Sequence, residues 1–238
     1  MSAFESHSFL GVGPCEPALR FRRIAQQHAL WHHPFVERCR AGELTLAQVR
    51  VLGGQMYKFS SEFTCFLAKA LASCRDEQAR LVIGQNLWEE LGEGDPERAH
   101  PELFRRFTRA LRISDQELLA IPAEPETTQL IDTYLGLSDR YGELGLIGAL
   151  CFASEGIVAG LYSQIETGLL KAVAFEKADL AFFEVHIHVD DGHAQNLESI
   201  LLPRLRGPED VERTEAAIGA ALDARCRFFD GVLRAAAS

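Results

Sequence analysis

The spacing of apolar residues follows a helical period along almost the whole chain. The clearest case lies between Leu46 and Ser73, where apolar side chains recur at i, i+3, i+4 and i+7 and Thr45 stands at the N-cap position. Alternating β-branched runs bounded by turn residues, which are typical of strands, do not occur. The same period predicts further helices over residues 18–31, 76–91, 101–111, 127–141, 143–166, 177–202 and 208–235, with short helices after Pro34 and Ser114. We therefore predict one all-α domain of about eight helices over residues 1–238.

Charge and cysteine content exclude several classes of protein. The chain has 24 Lys and Arg residues against 34 Asp and Glu, a net charge of −10. No basic block offsets this charge, so we expect no nucleic-acid partner and no membrane partner. The six cysteines form no CxxC pair, which argues against zinc-ribbon or thioredoxin chemistry and fits reduced thiols in the cytoplasm. The longest apolar run that we identify, residues 144–158, contains Glu155 and is too short to cross a bilayer.

Two histidines and an aspartate form the strongest candidate for chemistry. His186, Asp190 and His193 stand at i, i+4 and i+7 within the helix predicted over residues 177–202. On one α-helix this spacing places the three side chains on the same face. Two imidazoles and a carboxylate make a ligand set for a borderline-hard metal ion. The alternative is a polar helix face that carries its histidines by chance.

A carboxylate in a helix of small and apolar residues is the second candidate. Glu155 follows Ala153 and Ser154 and precedes Gly156 in such a helix. Burying a bare carboxylate costs several kcal/mol, so Glu155 must be paired, protonated or bound to a metal. A partly exposed glutamate, or one paired with an arginine, is the alternative. Glu62, on the long helix that starts at Leu46, is either a surface carboxylate or part of the same site.

An acidic turn supplies the remaining candidates. Glu89, Glu90 and Glu93 compete as ligands at the end of one predicted helix, and His100 stands at the start of the next. A solvated acidic turn is the alternative interpretation. In helical bundles, carboxylates and histidines that project inward from facing helices build dinuclear iron or manganese centres. Three carboxylates and three histidines suit two such metals without any thiolate.

With these residues in this order, the chain resembles the heme-oxygenase-like diiron oxidases, often called iron-containing redox enzymes. They are relatives of pyrroloquinoline-quinone synthase and thiaminase II. The resemblance covers the chain from roughly His33 to His193 and implies a heme-oxygenase-like helical bundle with a metal-binding core at about residues 45–205. It depends on three motifs in order, namely residues 89–94 followed by His100, then Glu155-Gly156, and then the set of His186, Asp190 and His193.

The resemblance also implies a ligand set and cofactors. The implied metal ligands are Glu90, His100, Glu155, His186, Asp190 and His193. Glu93 fits the spacing of some family members in place of Glu90. Some N-oxygenating members use an extra glutamate from the preceding long helix, and Glu62 is similar to it, which makes Glu62 the predicted catalytic residue. The implied cofactors are two Fe(II) ions, with manganese as an alternative at one position, and the co-substrate is O2.

The function implied is that of a non-heme diiron oxygenase or oxidase with an external electron donor. Its substrate would be a small polar amine or amino-acid derivative, and N-oxygenation in a natural-product pathway is the favoured reaction. Oxidative decarboxylation or C–C cleavage at the same diiron site is the first alternative. The second alternative is a cofactorless oxidase or thiaminase-like enzyme, which would be fully active without metal. The third is a binding protein with a structural metal, which would consume no O2.

Arg105 and Arg106 are candidates for binding a substrate carboxylate or for surface salt bridges. Related proteins commonly dimerise, so a homodimer is compatible with the resemblance.

Overall fold

A computed structural model describes residues 16–188 and 191–237. This part of the chain is helical and contains no β-strand, which confirms the predicted all-α class. Its twelve α-helices, numbered α1 to α12 in chain order, are Glu16–Gln27, Pro34–Ala41, Leu46–Ser60, Phe63–Ser73, Glu77–Glu90, His100–Ala110, Asp115–Ala120, Pro125–Leu150, Gly156–Ala172, Ala181–His188, Asp191–Leu201 and Pro208–Ala235. Three 3₁₀ turns, Ala29–His32, Lys177–Leu180 and Leu202–Arg204, and one π-helical turn, Cys151–Glu155, connect some of them.

The long helix predicted over residues 46–73 is in fact two helices. α3 ends at Ser60 and α4 begins at Phe63, so Glu62 lies in the turn between them and not on a helix face. Glu62 makes no side-chain capping bond to α4. The apolar period continues across this break because both helices bury side chains in the same core, and the pattern therefore gives no stop signal.

The helices predicted over residues 127–141 and 143–166 have different limits in the structure. α8 continues from Pro125 to Leu150, and only Gly142, with φ of 78°, departs from helical geometry inside it. The π-helical turn then leads into α9. In this turn the amide of Gly156 donates to the carbonyl of Cys151, five residues earlier. Such wide turns are frequent at functional sites.

The helix predicted over residues 177–202 corresponds to a 3₁₀ turn followed by α10 and α11. Residues 189 and 190, between α10 and α11, lie outside the described part of the chain. His186 belongs to α10 and His193 to α11. The predicted alignment of His186, Asp190 and His193 on one continuous helix face is therefore not tested.

Side-chain caps fix the starts of several helices. Thr45 and Gln48 form a reciprocal capping box at α3, and Ser114 and Glu117 form another at α7. Both starts agree with the sequence pattern. Asp76 caps α5 by accepting a hydrogen bond from a backbone amide of the first turn. α5 is the helix that carries Glu89 and Glu90.

The apolar core forms around α8 and α12, which pack along each other, while α9 packs against α2 and α10. The helical stretch Pro125–Ala172 is long and apolar enough to cross a bilayer by length and composition, and the sequence expectation missed this stretch. However, 78% of its apolar window is buried inside the protein. Packing in the core therefore accounts for its composition.

Candidate metal centre

Five of the six predicted metal ligands meet in the interior of the protein. Each of the five is at most 7% exposed. They are Glu90 at the end of α5, His100 at the start of α6, Glu155 at the end of the π-helical turn, His186 in α10 and His193 in α11. The sixth predicted ligand, Asp190, lies outside the described residues.

The donor atoms of these side chains form two groups of three that share one carboxylate. Glu90, His100 and His186 make up the first group, and Glu90, Glu155 and His193 make up the second. Within each group the three donor atoms lie within 4.8 Å of one another. A carboxylate has two oxygen atoms and can give one to each of two cations. The arrangement therefore has the form of a two-metal site in which Glu90 is shared.

The distances around Glu90 show which oxygen faces which group. Its Oε2 lies 2.7 Å from Nδ1 of His100. Its Oε1 lies 3.5 Å from Nδ1 of His193, and that same nitrogen lies 3.7 Å from Oε1 of Glu155. One oxygen of Glu90 thus faces each group.

The turn between α5 and α6 brings Glu90 next to His100. Residues 92–94 all have positive φ, so the chain reverses direction sharply after α5. At Gly92, with φ of 85°, a Cβ would lie 2.3 Å from the carbonyl oxygen of Asp95. Only glycine fits at this position. The close contact between the end of α5 and the start of α6 therefore depends on the Gly92 turn.

The three glutamates around this turn have different surroundings. Glu90 is buried among the donor atoms. Glu93 is exposed and forms a salt bridge of 2.7 Å with Arg98. Glu89 is half-exposed, and its Oε2 lies 2.7 Å from Nε2 of His193. Of the two glutamates that fit the family spacing, the structure therefore brings Glu90 and not Glu93 to the cluster.

Hydrogen bonds orient two of the imidazoles. Nδ1 of His186 donates to the backbone carbonyl of Phe182 at 2.7 Å, which leaves Nε2 of His186 available as a ligand. Nε2 of His193 donates to the carboxylate of Glu89, which leaves Nδ1 facing Glu90 and Glu155. Partners of this kind fix the tautomer and ring orientation of metal-binding histidines.

The charges of the cluster depend on one another. Burial disfavours the charged carboxylate of Glu90, yet the imidazoles of His100, His193 and His186 hold its pKa well below the usual range. Burial likewise disfavours a charged His193, yet the carboxylates of Glu155 and Glu90 raise its pKa to about 12. Buried carboxylates with this need for positive charge, together with imidazole nitrogens, suit a divalent metal ion.

A narrow cavity lies beside the donor atoms. Its volume of about 20 Å³ is large enough for about one water molecule. Most of the surface of the wall is apolar, and besides the candidate ligands the polar side chains of Ser60, Ser154 and Arg225 line it. The lining residues are Phe59, Ser60, Phe63, Glu90, His100, Ser154, Glu155, Val158, Tyr162, Phe182, His186 and Arg225.

Glu62, the predicted catalytic residue, is not among the side chains that line this cavity, although Phe59, Ser60 and Phe63 on either side of it are. Its carboxylate interacts with the exposed thiol of Cys65 and contributes to the raised pKa of that thiol, which burial raises most. The catalytic role of Glu62 therefore remains a prediction.

Sequence reasoning missed three residues that support the site. Asn86 is fully buried one helical turn before Glu90, and its amide donates to the carbonyl of His193 at 3.3 Å. That bond ties α5 to α11. Glu89, considered above only as a competing ligand, orients His193. Arg225 of α12 lines the cavity. The i, i+4 spacing of Asn86 and Glu90 is the one signal that could have pointed to the first of these residues.

The arginines that were candidates for a substrate carboxylate have other partners. Arg105 donates to Glu102 and to the hydroxyl of Tyr57. Arg106 lies 3.7 Å from the carboxylate of Glu97. Both arginines therefore form the salt bridges that were their alternative role.

The chain is similar to known proteins over most of its length. The chain is 27% identical over 212 residues to a 4-aminobenzoate synthase of Chlamydia pneumoniae, which covers 89% of this chain and 92% of that protein. It is also 27% identical to the 4-chloro-allylglycine synthase of Streptantibioticus cattleyicolor, over 88% of this chain and 79% of that protein. The fold is similar to a solved domain with a heme oxygenase-like fold from Shewanella denitrificans, with a TM-score of 0.74 and 17% identity over 91% of this chain and 90% of that domain.

The model of one protein family, described as iron-containing redox enzyme, matches residues 50–227. The matched region is most of the chain and contains all five described members of the cluster. This match confirms the resemblance seen in the motifs and identifies the protein as an oxidoreductase. The chain belongs to the iron-containing redox enzyme family.

Proposed function

We propose that this protein holds two ferrous ions and uses O2 to oxidise a small amine or amino-acid derivative. The observation that supports this proposal best is Glu90, a buried carboxylate shared by two groups of donor atoms. The donors are carboxylate oxygens and imidazole nitrogens without thiolates, a set that suits iron and also manganese. Bound there, two ferrous ions would supply two electrons for the reduction of O2, and an external donor would restore them.

The side chains of the protein contribute orientation and a dry environment. The carbonyl of Phe182 and the carboxylate of Glu89 hold the rings of His186 and His193 with one nitrogen toward the cluster. Phe59, Phe63, Val158, Tyr162 and Phe182 surround the donors with apolar surface. Exclusion of water strengthens the electrostatic interactions of the site and limits side reactions.

The names of two relatives support the substrate class. The products named are 4-aminobenzoate and 4-chloro-allylglycine. Each of these molecules contains an amino group and a carboxylate. We therefore place the substrate of this protein among small molecules derived from amino acids.

Within this class, the family resemblance of Glu62 favours N-oxygenation, which is therefore the first reaction to test. Two observations favour the second candidate, oxidative decarboxylation or C–C cleavage. Glu62 is not part of the cavity wall, and neither of the products named for the relatives has an N–O bond.

The test begins with anaerobic titration of the metal-free protein with Fe(II), followed by O2 uptake in the presence of a panel of amines and amino acids. We expect two irons per chain and substrate-dependent O2 uptake that is absent from the metal-free protein. Full activity without metal would overturn the proposal in favour of a cofactorless or thiaminase-like enzyme. Iron binding without O2 uptake under any reductant would overturn it in favour of a structural metal.

Mass spectrometry of the products separates the two reactions. N-oxygenation adds one oxygen atom to the substrate, whereas decarboxylation removes CO2. Glu62→Gln should reduce N-oxygenation strongly with little effect on iron content, and Glu93→Gln is its matched control because Glu93 is exposed and pairs with Arg98. Equal product yields from the two variants would remove Glu62 from the mechanism. Competition between Fe(II) and Mn(II), read by metal analysis, tests whether one position prefers manganese.

The setting that fits this function is the cytoplasm. The five cysteines in the described part of the chain are free thiols, as a reducing compartment permits. The absence of nucleic-acid and membrane partners and the homodimer remain predictions.

A further inference from the structure

Arg225 of α12 is a buried cation in the wall of the metal-site cavity. It is only 4% exposed, and it lines the same cavity as Glu90, His100, Glu155 and His186. Transfer of a guanidinium group from water to such a place costs free energy unless an anion compensates it. The position therefore calls for an anionic partner.

The contacts of Arg225 in the structure are weak. Its Nη2 lies 3.5 Å from Oγ of Ser154, at the limit of a hydrogen bond. Its Cζ lies 4.9 Å from the centre of the Phe59 ring, so the guanidinium stacks on an aromatic face. Within residues 16–188 and 191–237, its Nε has no hydrogen-bond partner and the side chain forms no salt bridge. An arginine has five N–H donors, and among the described residues the contact with Ser154 is the one hydrogen bond that the Arg225 side chain donates.

The surroundings place the guanidinium group of Arg225 close to the candidate metal ligands. Ser154 shares a hydrogen bond of 2.6 Å with the hydroxyl of Tyr134, which fixes its position. Ser154 is also the residue directly before Glu155 on the π-helical turn, and both side chains are buried. A molecule held by Arg225 would therefore lie next to Glu155, one of the candidate metal ligands.

We propose that Arg225 binds the carboxylate of the substrate, and that the substrates are small carboxylic acids with an apolar body, amino acids among them. The planar guanidinium matches the two oxygens of a carboxylate. Phe59, Val158 and Tyr162 offer apolar surface for the rest of the molecule. The narrow cavity requires a small substrate and some movement of these side chains. This inference rests on the proposed function and names its substrate class.

Binding measurements under anaerobic conditions test the proposal without turnover. The iron(II)-loaded protein is titrated by calorimetry with the standard amino acids and with 4-aminobenzoate, each beside its own carboxamide. We expect at least one carboxylate to bind about 30-fold more tightly than its amide, as for a buried charge pair. Arg225→Gln should remove that preference while the affinity for the amide changes little. Arg227→Gln is the matched control, because Arg227 lies on the same helix, is exposed and donates only to Gln129 among the described residues.

Each outcome decides for or against the proposal. A panel in which no carboxylate is preferred over its amide overturns it, and so does an Arg225→Gln variant that keeps the preference. Should Arg225→Gln not fold, as judged by circular dichroism, Arg225→Lys keeps the charge but loses the planar fork. That variant should keep its iron and bind the carboxylate about 10-fold more weakly, and parent-like binding would overturn the proposal.

The same measurements separate this inference from the proposed function. Two bound irons and O2 uptake without a carboxylate preference would overturn this inference alone. A carboxylate preference that depends on Arg225 in a protein that binds no iron would instead overturn the proposed function.

Discussion

Replacement of Glu90 by glutamine should weaken the binding of both metal ions, because each group of donors uses one oxygen of this carboxylate. Oε2 lies 2.7 Å from His100 and Oε1 lies 3.5 Å from His193. Without the carboxylate, each group keeps only two of its three described donors. Loss of an outer partner of a ligand weakens metal binding 10- to 100-fold. Loss of a ligand should therefore cost at least about 100-fold per ion, or about 2.7 kcal/mol for each.

Other substitutions in the same region should have graded effects. Replacement of His186 by alanine should remove one ion and leave the second group intact. Glu89→Ala should weaken only the ion bound by His193, by about 10- to 100-fold, because it removes the hydrogen bond at 2.7 Å that orients that ring. Glu93→Ala should leave both ions in place, because Glu93 pairs with Arg98 at the surface.

The assay is anaerobic titration with Fe(II) in competition with a coloured chelator, followed by metal analysis after gel filtration. The helical content of each variant, measured by circular dichroism, shows whether the fold is retained. A folded Glu90→Gln variant that holds two irons with parental affinity would show that Glu90 is not a shared ligand. A Glu93→Ala variant that loses both ions would show that the ligand set is wrong.

Three further predictions concern stability and reactivity. Gly168→Ala should destabilise the protein by about 1–3 kcal/mol in urea titrations, because the new Cβ would lie 2.9 Å from Cα of Cys39 on α2. Gly219→Ala, where nothing lies within 4 Å of the new Cβ, should instead stabilise it by up to about 1 kcal/mol; two changes of equal sign would contradict this account. Burial raises the pKa of Cys39 to about 12, so its thiol stays protonated at pH 8 and should resist Ellman's reagent in the native protein. The exposed thiol of Cys65 should react. Peptide mass spectrometry shows which of the two cysteines is modified. Fe(II) at 100 times its dissociation constant should stabilise the folded state by about 2.7 kcal/mol per site, which thermal melts can measure. Removal of the iron with EDTA should reverse this stabilisation. An unchanged melting temperature would argue against binding of iron to the folded state.

The helical fold could be predicted from the sequence because caps and apolar periodicity are local signals. The capping boxes at Thr45 and Ser114 lie where the pattern placed them. The break at Glu62 could not be predicted, because α3 and α4 bury the same face and no glycine or proline marks the turn. The apolar period reports which side is buried and not whether the backbone continues.

The candidate site was predictable where residue type was unusual for its surroundings. A glutamate in an apolar helix and the spacing of the histidines indicated Glu155, His186 and His193, and the structure brings them together. The choice of Glu90 over Glu93 depends on three positive φ angles in a turn, which spacing alone does not give. Arg225 resembles any helical arginine in sequence, and its burial follows only from the packing of α12 on α8.

The wide turn at residues 151–155 has a consequence for how the scaffold tolerates change. One residue more than a regular helical turn is accommodated there, since the amide of Gly156 reaches back to Cys151. Deletion of any residue in this turn would rotate α8 and α9 relative to each other by about 100° about the helix axis. Either Glu155 would then point away from Glu90 and His193, or Gly168 would lose its packing against α2. The additional residue of the wide turn thus allows the direction of the Glu155 side chain and the packing of α9 to be independent of each other.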